Sequence, residues 1–529
     1  MIIPAATRGG SPNRRLVNFI GGVGLEAGVL VLAAAFLIII SGLAAGAEGR
    51  RVIRIGTDVD AQSLDPRQQR DTTAYRLNNL IYDGLIQLDE NLAPRPDLAL
   101  SWRQPDDKTW VFTLRRDVTF HDGRLVTPDD VVHTFRTILD PALNARFRSL
   151  YEPIEMVEAI GDDQVRFTLK APYAPLLSYL DLGIVPKDAD ARDLNANPIG
   201  SGPFRFSRWE RGSRIVLTAN DGYFAGRPTI DEIDMILVPD NTARTQALEA
   251  GDLDLVMSPL SPQDVSRLAA DKHFRRVHLP GISITYFNFN CRNQVLSDPT
   301  VRRALAMLID QKTIVQQIYG GIDVPATSLL IPSLRWSYTP EIRQPDYDVA
   351  GARKLLAEAG WKPGADGTLT KNGQRLSFTL ATHAEDANRI QTLELLQNTL
   401  QQVGIEAKAL VTDWPAFIGS VQTGNYDVAL LGWTILVDPD RAMYGQLSSS
   451  GSLNFGHYAN AKVDSLLARG RAVGDLAARA EAYQGAARII AEELPYYVLS
   501  YAGFDAFAAS GLTGFVLDAR GFLRGLAAP

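Results

Sequence analysis

From Asp298 onward the sequence keeps switching between two hydrophobic periods, and that alternation constrains the fold more than any other feature. VRRALAMLIDQKTIVQQIYG (Val301–Gly320) carries apolar residues at helical spacing and closes on Gly320, which predicts one long amphipathic helix. YDVAGARKLLAEAGW predicts a second helix with Gly360 just past its end. RLSFTLATH then reads as a strand, ANRIQTLELLQNTLQQVG as a helix ending at Gly404, and IEAKALVT and YDVALLGWT as strands. Such alternation builds a mixed α/β sheet covered by helices. The preceding half is richer in strands. RVIRIGTDV (Arg51–Val59), TWVFTLRRDVTF (Thr109–Phe120), DDQVRFTLKAP (Asp162–Pro172), IDEIDMILVPD and ITYFNFN all alternate, and a strand pair turns at Glu210–Ser213. TARTQALEAG reads as a helix stopped at Gly251.

A length of 529 residues gives room for two or more domains. A composition 46% hydrophobic and 21% charged is that of a globular protein. The net charge of -7, without a long basic run, argues against a nucleic-acid partner. Cys291 is the only cysteine, so there is no intramolecular disulfide and no paired-cysteine metal site.

Arg8, Arg14 and Arg15 precede an apolar run from about Ala27 to Ala45, and Ala45-Gly46-Ala47 offers a small-residue cleavage site. This is the layout of a secretory signal over residues 1–47, with an exported mature chain starting near Glu48. An uncleaved anchor tethering the chain to the inner membrane is the competing reading.

VTFHDGRLVTPDDVVHTF (Val118–Phe135) crowds His121, His133 and several aspartates together. Asp122-Gly123 is a turn signal, and Thr127-Pro128-Asp129-Asp130 is a helix start. The Thr127 hydroxyl is expected to accept from the Asp130 amide, and both acids face the positive end of the helix dipole. The histidines fall on different elements without metal-ligand spacing, so the stretch is structural and no metal site is expected. Elsewhere there is no nucleophile elbow, no HExxH and no phosphate-cradling loop, and the six histidines are scattered. No catalytic site is expected.

Several segments in one order carry a resemblance. LDP is followed by a helix reaching Tyr82-Asp83-Gly84-Leu85, and ALSW (Ala99–Trp102) precedes TWVFTLRRDVTFHDGRLVTPDDV. PIGSGPFRF, NDGYFAGRPTIDEI, ALEAGDLDLV, YFNFN, DPTVRRALAMLIDQKTI, YDVAGARKLLAEAGW and YDVALLGWTILVDPD follow. The mature chain resembles, almost end to end, the extracytoplasmic solute-binding proteins of peptide/nickel-type ABC importers, the dipeptide- and oligopeptide-binding family. The resemblance implies a two-lobed α/β periplasmic-binding-protein clamshell with mixed sheets and an extra subdomain inserted in the first lobe. Lobe one would hold residues 48–282, with the insertion at about 86–190 carrying the histidine stretch far from the cleft, and return over 503–529. Lobe two would span 283–502, with hinge crossings at ITYFNFN and at Tyr496–Tyr501.

Implied with the fold is a periplasmic, monomeric receptor that needs no cofactor. It captures a peptide or similar polar solute and delivers it to permease subunits driven by a cytoplasmic ATPase. Dipeptide-binding members grip the ligand's amino terminus with an aspartate after GWT, and its carboxylate with an arginine after the strand matching RLSFTLATH. Here the first position falls on Leu436, or on Ile435 if the gap moves, and the second on His383, with Arg389 the nearest cation. Two charge-assisted pairs, roughly 1.5–3 kcal/mol each, are missing for a free dipeptide. A modified or longer peptide is therefore favoured. The cleft residues implied are Tyr75, Asn288, Asn290, His383, Trp433 and Thr434, with Trp433 suited to stacking on a ligand. Alternatives are a metal-chelate or haem binder of the same fold using His383 or His457, or a secreted hydrolase.

Overall fold

The protein is described by a computed structural model covering residues 51–188, 191–434, 436–513 and 515–524. The signal or anchor expected over residues 1–47 lies outside the described residues.

Two unusually long strands organise the molecule. Phe274–Phe289 runs antiparallel to Tyr496–Ala509 at the centre of an eleven-stranded mixed sheet. On one side of this pair lie Leu255–Val256, Val52–Thr57, Glu232–Leu237, Arg214–Ala219 and Phe204–Glu210. On the other lie Val428–Trp433, Ser377–His383 and Glu406–Thr412. The ladder between the two long strands is interrupted: pairing stops at Pro280 with Gly503 and resumes at Ile284 with Tyr501. The backbones are crowded at the break, where a Cβ on Gly503 would lie 1.8 Å from the Ile322 carbonyl oxygen. Only glycine tolerates that approach.

A separate four-stranded antiparallel sheet is built from Ala99–Asp106, Thr109–Leu114, Gln164–Leu169 and Ile154–Ile160. Alternation in TWVFTL and QVRFTL places Phe112, Val165 and Phe167 inward, where Phe135 of the helix Pro128–Leu139 meets Phe167 edge-on at 5.0 Å. One continuous core joins this subdomain to Leu436, Val437, Tyr483 and Tyr496. Distinct cores fill the two sides of the main sheet, around Ile55 and Phe204 on one and around Phe287 and Leu396 on the other.

The helix Pro128–Leu139 starts where expected, with Thr127 and Asp130 forming a reciprocal capping box. The Thr127 hydroxyl donates to the Asp130 carboxylate at 2.6 Å, and the same oxygen accepts from the Thr127 amide at 2.7 Å. His121 and His133 are absorbed structurally: the first meets the Gly202 carbonyl at 3.0 Å, the second the Arg67 guanidinium at 3.5 Å. The single helix expected over Val301–Gly320 is broken. Pro299–Ala306 is followed by a new start at Gln311–Thr313, because Asp310 accepts from the Thr313 amide and acts as a second N-cap. That strong local cap competes with helix continuation inside an uninterrupted apolar stripe. Gly251 and Gly404 do end their helices, at φ +77° and +83°.

Candidate functional site

The helix Thr72–Ile81 is fixed at its start by Asp71, whose carboxylate accepts from the Ala74 amide at 2.7 Å. Leu77, Leu80 and Ile81 bury one face in the core. The remaining turn-spaced positions, Tyr75, Arg76, Asn78 and Asn79, line a cavity of about 410 Å³. Its opposite wall is Thr434 and Val437, which follow the strand Val428–Trp433. Ile282 and Ser283, at the interruption of the central ladder, line it between these walls. The loop after the strand is held to that interruption by a 2.9 Å bond from the Leu436 amide to the Ile282 carbonyl. This volume lies in the range typical of small-molecule pockets.

The floor comes from the C-terminal segment. The Phe522 ring sits 4.6 Å from the Tyr75 ring. Arg520 lies under Phe522, its guanidinium 4.3 Å from the ring centre, and bonds Asp518 and Asp181 at 2.7 Å each. These acids hold the fully buried Arg520 firmly charged, its pKa raised above the ordinary arginine range despite burial. Burial, reinforced by Asp181, pushes the Tyr75 phenol up, so it presents a neutral hydroxyl.

The segment after the four-stranded sheet's second strand also reaches the cavity, through Ile138, Arg146, Phe147 and Tyr151. None of the residues of the histidine stretch, 118–135, is in the lining. Its helix spans twelve residues, about 18 Å at 1.5 Å per residue, so the N-terminus is remote while the last turn lines the wall.

The six expected residues are not all brought together. Tyr75 and Thr434 share the cavity. Trp433 is the last residue of its strand, registered opposite Ile284 and packed partly buried against the core, outside the lining. His383 also lies outside the lining, between Glu385 at 2.9 Å and Arg389 at 3.1 Å, with Trp414 edge-on at 5.0 Å. Asn290 donates to the Gly424 and Tyr426 carbonyls, bracing a turn. Asn288 is fully buried beside Gly456. Leu436 is a core residue, while its neighbour Val437 faces the cavity. Arg76, Arg520 and Phe522 were not singled out from the sequence. Arg76 follows Tyr75 directly and could have been read from helical spacing, whereas the C-terminal pair has no local signal. Among the described residues, no group of three or more His, Cys, Asp or Glu converges as a metal site, and no helix is long and apolar enough to cross a membrane.

Residues 93–454 match the family model for bacterial extracellular solute-binding proteins, family 5 Middle. The oligopeptide-binding protein AppA of Bacillus subtilis is 31% identical over 464 residues, covering 84% of this chain and 85% of that protein. Its structure in complex with a nonapeptide superposes with a TM-score of 0.66 at 29% identity, covering 90% of this chain and 98% of that one. HbpA2 from Haemophilus parasuis superposes with a TM-score of 0.82 at 23% identity, covering 89% and 98%. The two-lobed α/β fold of these binding proteins is thereby the fold of this chain.

Proposed function

The chain belongs to the bacterial extracellular solute-binding proteins of family 5, and we propose that its cargo is a peptide longer than a dipeptide, or a similar polar solute, seated between Tyr75 and Thr434. The chain is the substrate-binding subunit of an ABC importer. One observation carries the choice of site: one cavity is lined by both the helix Thr72–Ile81 and the loop after Val428–Trp433, two elements on either side of the interrupted ladder.

Lobe one holds residues 48–282 and 503–529 in this reading, and lobe two 283–502, so both chain crossings fall where pairing lapses between Pro280 and Ile284. Motion there costs few ladder hydrogen bonds. Cargo touching both walls favours the closed arrangement, and a change of shape is what a permease can recognise. The subunit binds without bond-making chemistry, acts as a monomer outside the cytoplasm with no nucleic-acid partner, and remains tethered only if residues 1–47 are retained. Tyr75 and Thr434 touch the cargo, while Trp433, His383, Asn288 and Asn290 support the walls from behind.

Native mass spectrometry of the purified mature chain, followed by calorimetry with a dipeptide panel, tests this reading. A copurifying peptide-like mass with no measurable dipeptide binding is expected. Micromolar or tighter binding of unmodified dipeptides would overturn it.

A further inference from the structure

Of the arginines lining the cavity, Arg76 combines burial with the lack of an ion-pair partner, Asp58 and Asp518 acting on it only through space. Arg67 and Arg520 are buried but paired with Asp65 and with Asp518 and Asp181. Arg70 and Arg146 are exposed to water. Arg76 is only 7% exposed, and among the described residues it enters no ion pair. Its Nη2 donates a long 3.3 Å bond to the Met257 carbonyl, and its Nε has no hydrogen-bond partner. The group is nevertheless held in place. A Cβ on Gly521 would lie 2.8 Å from Nη2, and the Phe504 ring centre is 5.7 Å from the guanidinium carbon.

A buried cation with spare donors is unfavourable until an anion reaches it. Burial pulls the Arg76 pKa down to about 10, so the group stays protonated at neutral pH. The carboxylates that line the cavity are already engaged. Asp71 accepts from the amides of Ala74 and Gln62, and Asp181 holds Arg520. A guanidinium in this state matches a carboxylate in geometry and charge, because its donors lie in one plane.

We infer that Arg76 is the anion anchor of the cavity, and that the cargo presents a carboxylate to it. The inference rests on the cavity being the peptide site. The carboxylate is either a peptide C-terminus or an acidic side chain, and the chemistry at Arg76 is the same for both. The aromatic pair Tyr75–Phe522 then flanks the residue that carries it.

A peptic digest of casein supplies the test, used untreated and after methyl esterification, which neutralises every carboxyl group. Captured peptides are counted by mass spectrometry after incubation with the mature chain. Capture from the untreated digest should exceed capture from the esterified digest at least tenfold. Arg76→Gln should lose capture by a similar factor, and Arg76→Lys should recover part of it. Synthetic free-acid and C-terminal amide forms of a captured peptide assign which carboxylate is read: an amide that no longer binds identifies the C-terminus, and one that still binds through Arg76 identifies an acidic side chain. The esterification arm needs no variant, so it stands even if Arg76→Gln fails to fold. Equal capture from both digests overturns the anchor and leaves the peptide site intact. Capture from neither digest overturns the peptide reading and the anchor with it.

Discussion

The Ser178 hydroxyl donates to the Asp438 carboxylate at 2.9 Å, joining the helical turn Ala174–Tyr179, which the resemblance assigns to an inserted subdomain, to the segment after Val428–Trp433. Both residues are buried, at 2% and 0% exposure, and the other Asp438 oxygen accepts from Arg479 at 2.8 Å. If the subdomain moves with lobe one, this bond exists only in the closed arrangement. A hydrogen bond to a charged group contributes about 1.5–3 kcal/mol. Ser178→Ala should therefore weaken cargo capture by roughly tenfold or more through the closing equilibrium, without touching the cavity. Calorimetry with a captured peptide, paired with small-angle scattering of the unliganded variant, reads both consequences. Unchanged affinity together with an unchanged radius of gyration would sink the idea.

Tyr75 and Trp433 should separate binding from stability. Tyr75 lines the cavity against Phe522, whereas the Trp433 indole packs against the core outside it. Tyr75→Ala should raise the Kd of a captured peptide at least fivefold, about 1 kcal/mol, with a small change in Tm. Trp433→Ala should instead cost stability on the order of 3 kcal/mol. The reverse pattern, read by calorimetry and thermal melts, would return Trp433 to the cargo-binding wall.

Much of this was legible because it is written locally. The strands Ser377–His383, Glu406–Thr412 and Val428–Trp433 follow from alternation, and Gly251 and Gly404 end helices at positive φ. The break after Ala306 was hidden because Asp310 lies within a stripe whose apolar spacing never lapses. The cavity floor was hidden for a different reason. Arg520 and Phe522 meet Tyr75 only after the chain returns along Tyr496–Ala509, and no local pattern encodes that meeting. Trp433 shows the limit of reasoning by residue type. A tryptophan at a strand end suits a ligand wall or a core equally, and here the ring packs partly buried against the core, outside the cavity lining.

Thr127→Ala tests whether the histidine-rich stretch is architecture. The variant loses the 2.6 Å bond to Asp130, whose second oxygen remains bonded to the Lys187 amide. A loss of about 0.5–2 kcal/mol in denaturant unfolding is expected, with peptide capture unchanged. Weakened capture at equal stability would mean that the cap end of this helix, and not only its last turn at Ile138, communicates with the cavity.

The acid limb of the stability curve should report opposing buried groups. Asp83 accepts from the hydroxyls of Ser201 at 2.8 Å and Tyr223 at 3.0 Å, yet burial outweighs them and pushes its pKa from 3.8 up to about 6. Between those values the folded state binds more protons than the unfolded state. Stability from Asp83 is therefore greatest at low pH and falls as pH rises toward 6, by about 3 kcal/mol in all. Asp440, also pushed up to about 6 by burial, acts in the same direction. His121 acts in the opposite one: burial pulls it from 6.5 down to about 4, so its contribution rises with pH across that interval. Two falling contributions outweigh one rising one, so the wild type should lose stability from pH 4 to pH 6 as far as these groups determine it. Asp83→Asn removes one falling contribution while keeping an acceptor for one hydroxyl. Its curve should be flatter over this interval and higher than the wild type's at pH 7. Urea unfolding at pH 4, 5, 6 and 7 measures both differences, and a variant curve parallel to the wild type's would show that Asp83 does not titrate with a raised pKa.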